Sequence, residues 1–215
     1  MFCIIQARMN SKRLPRKVLT KINGKPLIQH VIDRVKKAKL VKKIIVATSN
    51  NYTDRVLVNY LKKNKLNYFC GSLKNVAQRF EEIIEAYNIK SFVRISADSP
   101  LIDPQLIDLS IKKFLKEKYD IVTNVHPRTF PLGQSVEVLC SKIYLKNFKK
   151  FNKIDRFKEH PPLFFYENPK KFKIYNIKNR KNYSKYRLCV DTKEDFNFIK
   201  KIILKKLNQK NWKYI

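Results

Sequence analysis

Short apolar runs of strand type alternate with amphipathic helical runs through the first half of the chain, and this alternation constrains the fold more than any other feature. Phe2-Cys3-Ile4-Ile5, Lys43-Ile44-Ile45-Val46-Ala47-Thr48, Tyr68-Phe69-Cys70 and Phe92-Val93-Arg94-Ile95 read as strands, the first apolar throughout as a strand buried on both faces is. Between them the 3.6-residue period predicts a helix opened by Gly24-Lys25-Pro26 and running to about Ala38, then helices over about 52–64, 75–87 and 104–117. Leu27, Val31, Ile32 and Val35 form the apolar stripe of the first; Val76, Phe80, Ile83 and Ile84 form that of the third. A repeated βα pattern of this kind predicts a doubly wound, mostly parallel α/β sheet.

Beyond Tyr119 the rhythm changes. Strands are expected at 120–123, 135–140, 172–177 and 187–190, with a loop carrying His126, Pro127, Pro131 and Gly133 between the first two. Ser141 suits the N-cap of a short helix to about Lys150. A helical patch over 155–166 must break at Pro161-Pro162, and a lysine-rich helix is expected from Lys193 to Leu207. At 215 residues the chain fits one domain, divided here into a first half, 1–118, and a second, 119–215, that adds strands to the same sheet.

Composition removes several function classes. Only three glycines occur, at 24, 71 and 133, so neither a Walker loop nor a Gly-x-Gly-x-x-Gly fingerprint can be present. Cys3, Cys70, Cys140 and Cys189 are isolated, without Cys-x-x-Cys spacing, and read as small core hydrophobes in a reducing compartment. No apolar run approaches the roughly 18 to 20 residues that span a bilayer, and the expectation is a soluble, cytoplasmic protein. The net charge of +31 invites a basic nucleic-acid-binding reading. Lysines dominate, however, and spread over nearly every predicted helix, beside abundant Asn and Ile, a pattern of compositional bias with solvated helix faces. No specific nucleic acid is expected as a partner.

The candidate site follows from position. The segment Ala7-Arg8-Met9-Asn10-Ser11-Lys12-Arg13-Leu14-Pro15-Arg16-Lys17 directly follows the first strand, and α/β sheets bind ligands outside the carboxyl ends of their strands. With glycine-rich cradles excluded, bound phosphate would rest on Arg8, Arg13 and Lys17. Arginine forks two phosphate oxygens, and lysine supplies a mobile point charge. Ser11 adds a hydroxyl. Read alone, Arg13 and Lys17 also suit ordinary loop charges, Asp98 a turn, and Asp191 before Thr192 a helix cap.

The motif Ala-Arg-x-x-Ser-x-Arg-Leu-Pro-x-Lys, followed by Gly24-Lys25-Pro26-Leu27, resembles the opening of the sugar cytidylyltransferases, most closely the SpsF-like branch named for spore coat polysaccharide biosynthesis. The likeness continues through Ala47-Thr48-Ser49, Phe69-Cys70-Gly71-Ser72, the segment from Arg94 to Pro104, Pro131-Leu132-Gly133-Gln134-Ser135-Val136-Glu137-Val138, Glu159-His160, and Val190 to Phe196. It departs where Asn10 and Arg16 stand at positions often glycine in the family. Leu132 replaces an Asp, and Asn75-Val76-Ala77-Gln78-Arg79 lacks the usual acidic residues.

The resemblance implies a nucleotide-diphosphosugar transferase fold, GT-A-like and Rossmann-like, with an added acceptor and dimerisation region. It implies transfer of CMP from CTP to a sugar, an acidic or modified surface-polysaccharide sugar, with release of pyrophosphate. By the family's pattern Ala7, Arg8, Ser11, Arg13, Lys17, Ser96 and Ala97 contact the nucleotide, and Arg13 and Lys17 serve catalysis. Asp98 and Asp191 hold Mg2+; Arg79, Glu137 and His160 face the acceptor. A homodimer is implied by the same likeness. A glycosyltransferase or a non-catalytic nucleotide-binding protein of the same fold stays open as an alternative.

Overall fold

A computed structural model describes residues 1–205. The chain runs through β1 (Phe2–Gln6), a 3-10 turn at Lys17–Leu19, β2 (Lys21–Ile22), β3 (Lys25–Pro26), α1 (Leu27–Val35) and β4 (Lys43–Ser49). After a second 3-10 turn, Tyr52–Asp54, come α2 (Arg55–Lys63), β5 (Tyr68–Gly71), α3 (Val76–Ala86), β6 (Ser91–Ser96) and α4 (Pro104–Lys116). The second half supplies β7 (Ile121–Thr123), β8 (Glu137–Cys140), α5 (Ser141–Phe151), α6 (Asp155–Glu159), α7 (Pro162–Tyr166), β9 (Ile174–Asn176) and α8 (Lys193–Leu204).

Seven strands form one sheet in the order β5-β4-β1-β6-β8-β7-β9. The pairs β5–β4, β4–β1 and β1–β6 are parallel, and β8 lies antiparallel to both β6 and β7. The second half therefore extends the sheet past β6, as the sequence suggested. Alternation along each strand sends neighbouring side chains to opposite faces, and both faces are covered. Cys3, Ile5, Val46, Val93 and Ile95 pack with α1, α2 and α4 residues such as Val31, Leu61 and Ile107. Ile4, Ile45, Phe92 and Leu139 pack with Phe80 and Ile83 of α3 and with Tyr144, Phe151, Phe165 and Tyr166. A smaller cluster joins Ile22 and Leu27 to Leu188, Val190, Ile199 and Ile202, seating α8 against β2.

Two local expectations are corrected and a third gains a feature. Pro26 stands at the N-cap of α1, as the segment Gly24-Lys25-Pro26 suggested, but the same segment also closes a hairpin: Asn23 (φ 49) and Gly24 (φ 75) both take positive φ, as a two-residue type I′ turn between β2 and β3 requires. Ser141 is the first residue of α5 and Cys140 holds the N-cap position, without a side-chain cap. Residues 187–190 form no strand. Leu188 N–H donates to Leu132 C=O at 2.7 Å and Val190 N–H to Asp98 C=O at 2.8 Å, with a single bridge between Leu132 and Arg187. Leu207, expected as the end of the last helix, lies outside the described residues.

The chain leaves β1 for β4 and β5 on one side, then returns to β6 on the other. That reversal makes the carboxyl ends of β1 and β6 the topological switch point, where open α/β sheets form their binding crevice.

Candidate active site

A cleft of about 340 Å3 opens at this switch point, lined by Gln6, Ala7, Arg8, Ser11, Lys12, Arg13, Lys17, Val18, Arg94, Ser96, Ala97, Asp98, Glu159, His160 and Asp191. Its frame is backbone. The Ala7 amide donates to Ala47 C=O at 3.0 Å, and the Ala97 amide to Gln6 C=O at 3.0 Å, so the segments leaving β1 and β6 start side by side.

Lys17 is the centre of the cleft. It is 8 % exposed, and its Nζ donates to Asp191 Oδ1 at 2.9 Å, Asp98 Oδ2 at 3.3 Å and Val190 C=O at 2.7 Å. An ammonium has three protons, and this one has three acceptors. Asp191 is pulled further by Arg13 at 3.0 Å and Arg187 at 3.2 Å. Burial pushes the Asp191 carboxyl up, but its hydrogen bond from Lys17 and the charges of Lys17, Arg13 and Arg187 outweigh that and hold it below the usual range.

The start of α8 fixes Asp191. Thr192 and Asp195 form a capping box, and Asp195 Oδ2 also accepts from the Asp191 amide at 2.9 Å. The cap role that the sequence offered to Asp191 belongs to Thr192, which leaves the Asp191 side chain for the cleft. Gly133 supports the same region from behind. It adopts φ +94, and an added Cβ would stand 2.4 Å from the Leu188 carbonyl carbon.

Across the cleft, Arg8 pairs with Glu159, Nη2 to Oε1 at 2.7 Å and Nη1 to Oε2 at 3.3 Å. This two-pronged contact ties the loop after β1 to α6. His160 follows Glu159 and stays exposed at the edge of the cleft; partial loss of water around its ring, reinforced by the Arg94 charge, lowers its pKa from the ordinary 6.5. Arg94 reaches the cleft from β6, held by an ion pair to Glu137 and by a bond to Gln6 Oε1 at 3.0 Å.

Of the residues expected from sequence, Ala7, Arg8, Ser11, Arg13, Lys17, Ser96, Ala97, Asp98, His160 and Asp191 line one cleft. Arg79 and Glu137 do not. Arg79 is fully buried in α3, donating to Ala47 C=O at 3.3 Å; burial brings its pKa down to about 10 against the opposing charge of Asp54. Glu137, 3 % exposed, lies on β8 beneath Arg94 and accepts from the Tyr166 hydroxyl at 2.6 Å. Arg94 itself escaped the sequence reading. Its signal was a lone charge within the buried run Phe92-Val93-Arg94-Ile95.

Comparison with known proteins gives a consistent picture. The family model described as Cytidylyltransferase matches residues 2–215. The spore coat polysaccharide biosynthesis protein SpsF of Bacillus subtilis is 30 % identical over 208 residues, covering 94 % of this chain and 85 % of its own length. The 3-deoxy-manno-octulosonate cytidylyltransferase of Geobacter sulfurreducens is 32 % identical over 108 residues, half of this chain and 42 % of that protein. A solved cytidylyltransferase structure from Leptospira borgpetersenii superposes with a TM-score of 0.88 at 32 % identity, covering 97 % of this chain and 88 % of that one.

Proposed function

Because the chain belongs to the cytidylyltransferase family, we propose that it transfers CMP from CTP to a sugar and releases pyrophosphate at the cleft centred on Lys17. The acceptor class is an acidic or modified sugar of surface polysaccharide, as the names of its relatives suggest. In such a reaction the acceptor hydroxyl oxygen bonds to the α-phosphorus while the bond to the pyrophosphate oxygen breaks. Positioning and charge neutralisation are the main demands on the protein.

The observation that carries this reading is the placement of Lys17 Nζ between Asp98 and Asp191 at the carboxyl ends of the central strands. In this reading the Lys17 ammonium turns to the α-phosphate, Arg13 holds the leaving phosphates, and Arg8 exchanges Glu159 for the nucleotide. Ser11 and the backbone of Ala7, Ser96 and Ala97 line the nucleotide. His160 and Arg94 bound the acceptor end, and the charge-neutral form of His160 suits hydrogen bonding there.

The residues present fit magnesium. Asp98 and Asp191 offer hard carboxylate oxygens around a point that a cation, the Lys17 ammonium, already occupies. Among the described residues no group of three or more His, Cys, Asp or Glu forms a cage, and magnesium is usually held by one or two carboxylates with phosphate oxygens and water. Cys189 Sγ lies 3.8 Å from Asp191, yet burial pushes its thiol up to about 12, so no soft thiolate competes. Magnesium bound there supplies charge neutralisation of the triphosphate.

We assign residues 1–118 to the nucleotide and 119–215 to the acceptor side of one domain, with a homodimer and a cytoplasmic location as the family setting; no described helix is long and apolar enough to cross a membrane. Thermal melting with each of the four nucleoside triphosphates and magnesium tests the nucleotide assignment. CTP should raise the melting temperature most, and an equal shift for all four contradicts it.

A further inference from the structure

Behind the cleft, outside the residues that line it, stands a carboxylate for which the reaction gives no direct use. Asp54 closes the 3-10 turn before α2 and is fully buried. Among the described residues no cation lies within ion-pair distance of it. Four donors hold it instead: the Met9 amide at 2.7 Å to Oδ1, and at Oδ2 the Ser49 amide at 3.1 Å, the Thr48 hydroxyl at 3.2 Å and the Ser49 hydroxyl. A buried charge is tolerated only when such bonds replace water. Three donors belong to the end of β4; the fourth belongs to the loop after β1.

Met9 is the hub of that loop. Its carbonyl accepts from the Ser11 amide at 3.0 Å and from the Arg16 amide at 2.9 Å. The second bond folds the loop back on itself and leaves Arg16 at φ 61, immediately before Lys17. Arg16 C=O then accepts from the Leu19 amide at 3.0 Å, closing the 3-10 turn that presents Lys17. A continuous series of hydrogen-bonded peptides thus runs from Asp54 through Met9 and Arg16 to the Lys17 ammonium.

We propose that Asp54 is a positioning residue for the transfer reaction, its carboxylate setting, through the Met9 peptide, the turn that aims Lys17 at the phosphates. The proposal rests on the cytidylyltransferase reading above. It makes Asp54 act on the chemical step through geometry, without touching substrate, and small misplacements of a reacting group are costly: about 1 Å can lower the rate a hundredfold.

Asp54→Asn tests it, because one carboxylate oxygen becomes an NH2; with the amide oxygen kept toward the three donors of β4, that NH2 faces the Met9 amide and the link to the loop is lost. The expected result is a folded protein whose kcat for CTP-dependent pyrophosphate release falls about a hundredfold, with KM for CTP within about threefold of wild type. Asp108→Asn is the matched control: that carboxylate clamps the Lys39 and Leu40 amides at 2.9 and 2.8 Å, away from the cleft, and its loss should leave kcat unchanged. A second measurement needs no variant. In the wild-type protein the Met9 amide should exchange with solvent as slowly as the β1 amides. Wild-type kcat in Asp54→Asn, or free exchange of the Met9 amide, overturns the proposal. A wild-type protein inactive with CTP and every sugar overturns the transferase reading itself, so the two failures are distinct.

Discussion

Lys17 and Asp191, 174 positions apart, meet at 2.9 Å across the base of the cleft. The contact joins the loop after β1 to the start of α8, so the first and last parts of the described chain build one site. It also leaves the Lys17 ammonium neutralised by Asp98 and Asp191, the two carboxylates proposed above as the magnesium ligands.

Removing that lysine should separate its two roles. Lys17→Ala is expected to lower pyrophosphate release by at least about a hundredfold, the usual loss when a preorganised charge-stabilising group is deleted. It also leaves Asp98 and Asp191 facing each other without their shared cation. The melting temperature of Lys17→Ala should therefore rise more steeply with magnesium than that of wild type. Equal magnesium responses would count against the shared-cation geometry.

His160 supplies a pH dependence. Its folded-state pKa is lowered below the ordinary 6.5 by partial desolvation at the cleft and by the Arg94 charge, so the unfolded chain binds the proton more readily; the ring remains exposed, so water screens the effect and it is small. The stability this group contributes is complete above about pH 6.5 and is lost as pH falls towards the folded-state value. Melting measured from pH 7.5 to 5 should show wild type losing more stability than His160→Gln over that interval. Parallel curves would show that His160 is not what lowers acid stability.

Gly133→Ala should be severe. Positive φ and a Cβ 2.4 Å from the Leu188 backbone force the segment leading to Asp191 outward, at a cost of about 2 kcal/mol or more. Urea denaturation should report the loss, and kcat should fall with it because Val190 C=O and Asp191 both hold Lys17.

Arg16 makes the opposite case. At φ 61 an L-residue carries roughly 1–2 kcal/mol of strain that glycine escapes, partly offset by the greater unfolded-state freedom of glycine, about 0.4–1 kcal/mol. Arg16→Gly should equal or exceed wild type in urea midpoint, whereas Arg16→Val should fall below it. If glycine were the worse of the two, Arg16 would owe its place to side-chain contacts.

The sequence disclosed whatever depended on local pattern. Buried strands and amphipathic helices follow from periods of 2 and 3.6, and the loop that lines the cleft follows from its position after β1. Asn23-Gly24 also carried the hairpin signal; Pro26, two residues later, marks the start of α1 and drew the reading to the helix alone. What pattern could not supply was pairing at long range. Antiparallel insertion of β8 sets Arg94 opposite Glu137 and turns an expected acceptor contact into the partner of an arginine. Arg79, expected at the acceptor, is drawn into the core behind Ala47. Asp54 belongs to no motif in the sequence; only the fold brings the Met9 amide to it.

The central claim is CMP transfer at the Lys17 cleft. Its most direct test incubates the wild-type protein and Lys17→Ala with CTP, magnesium and a panel of acidic, amino and neutral sugars, and measures pyrophosphate and CMP-sugar together. The account predicts that wild type forms both in equal amounts with at least one sugar and that Lys17→Ala forms neither. Equal turnover by the two proteins, or pyrophosphate release without a CMP-sugar, would contradict it.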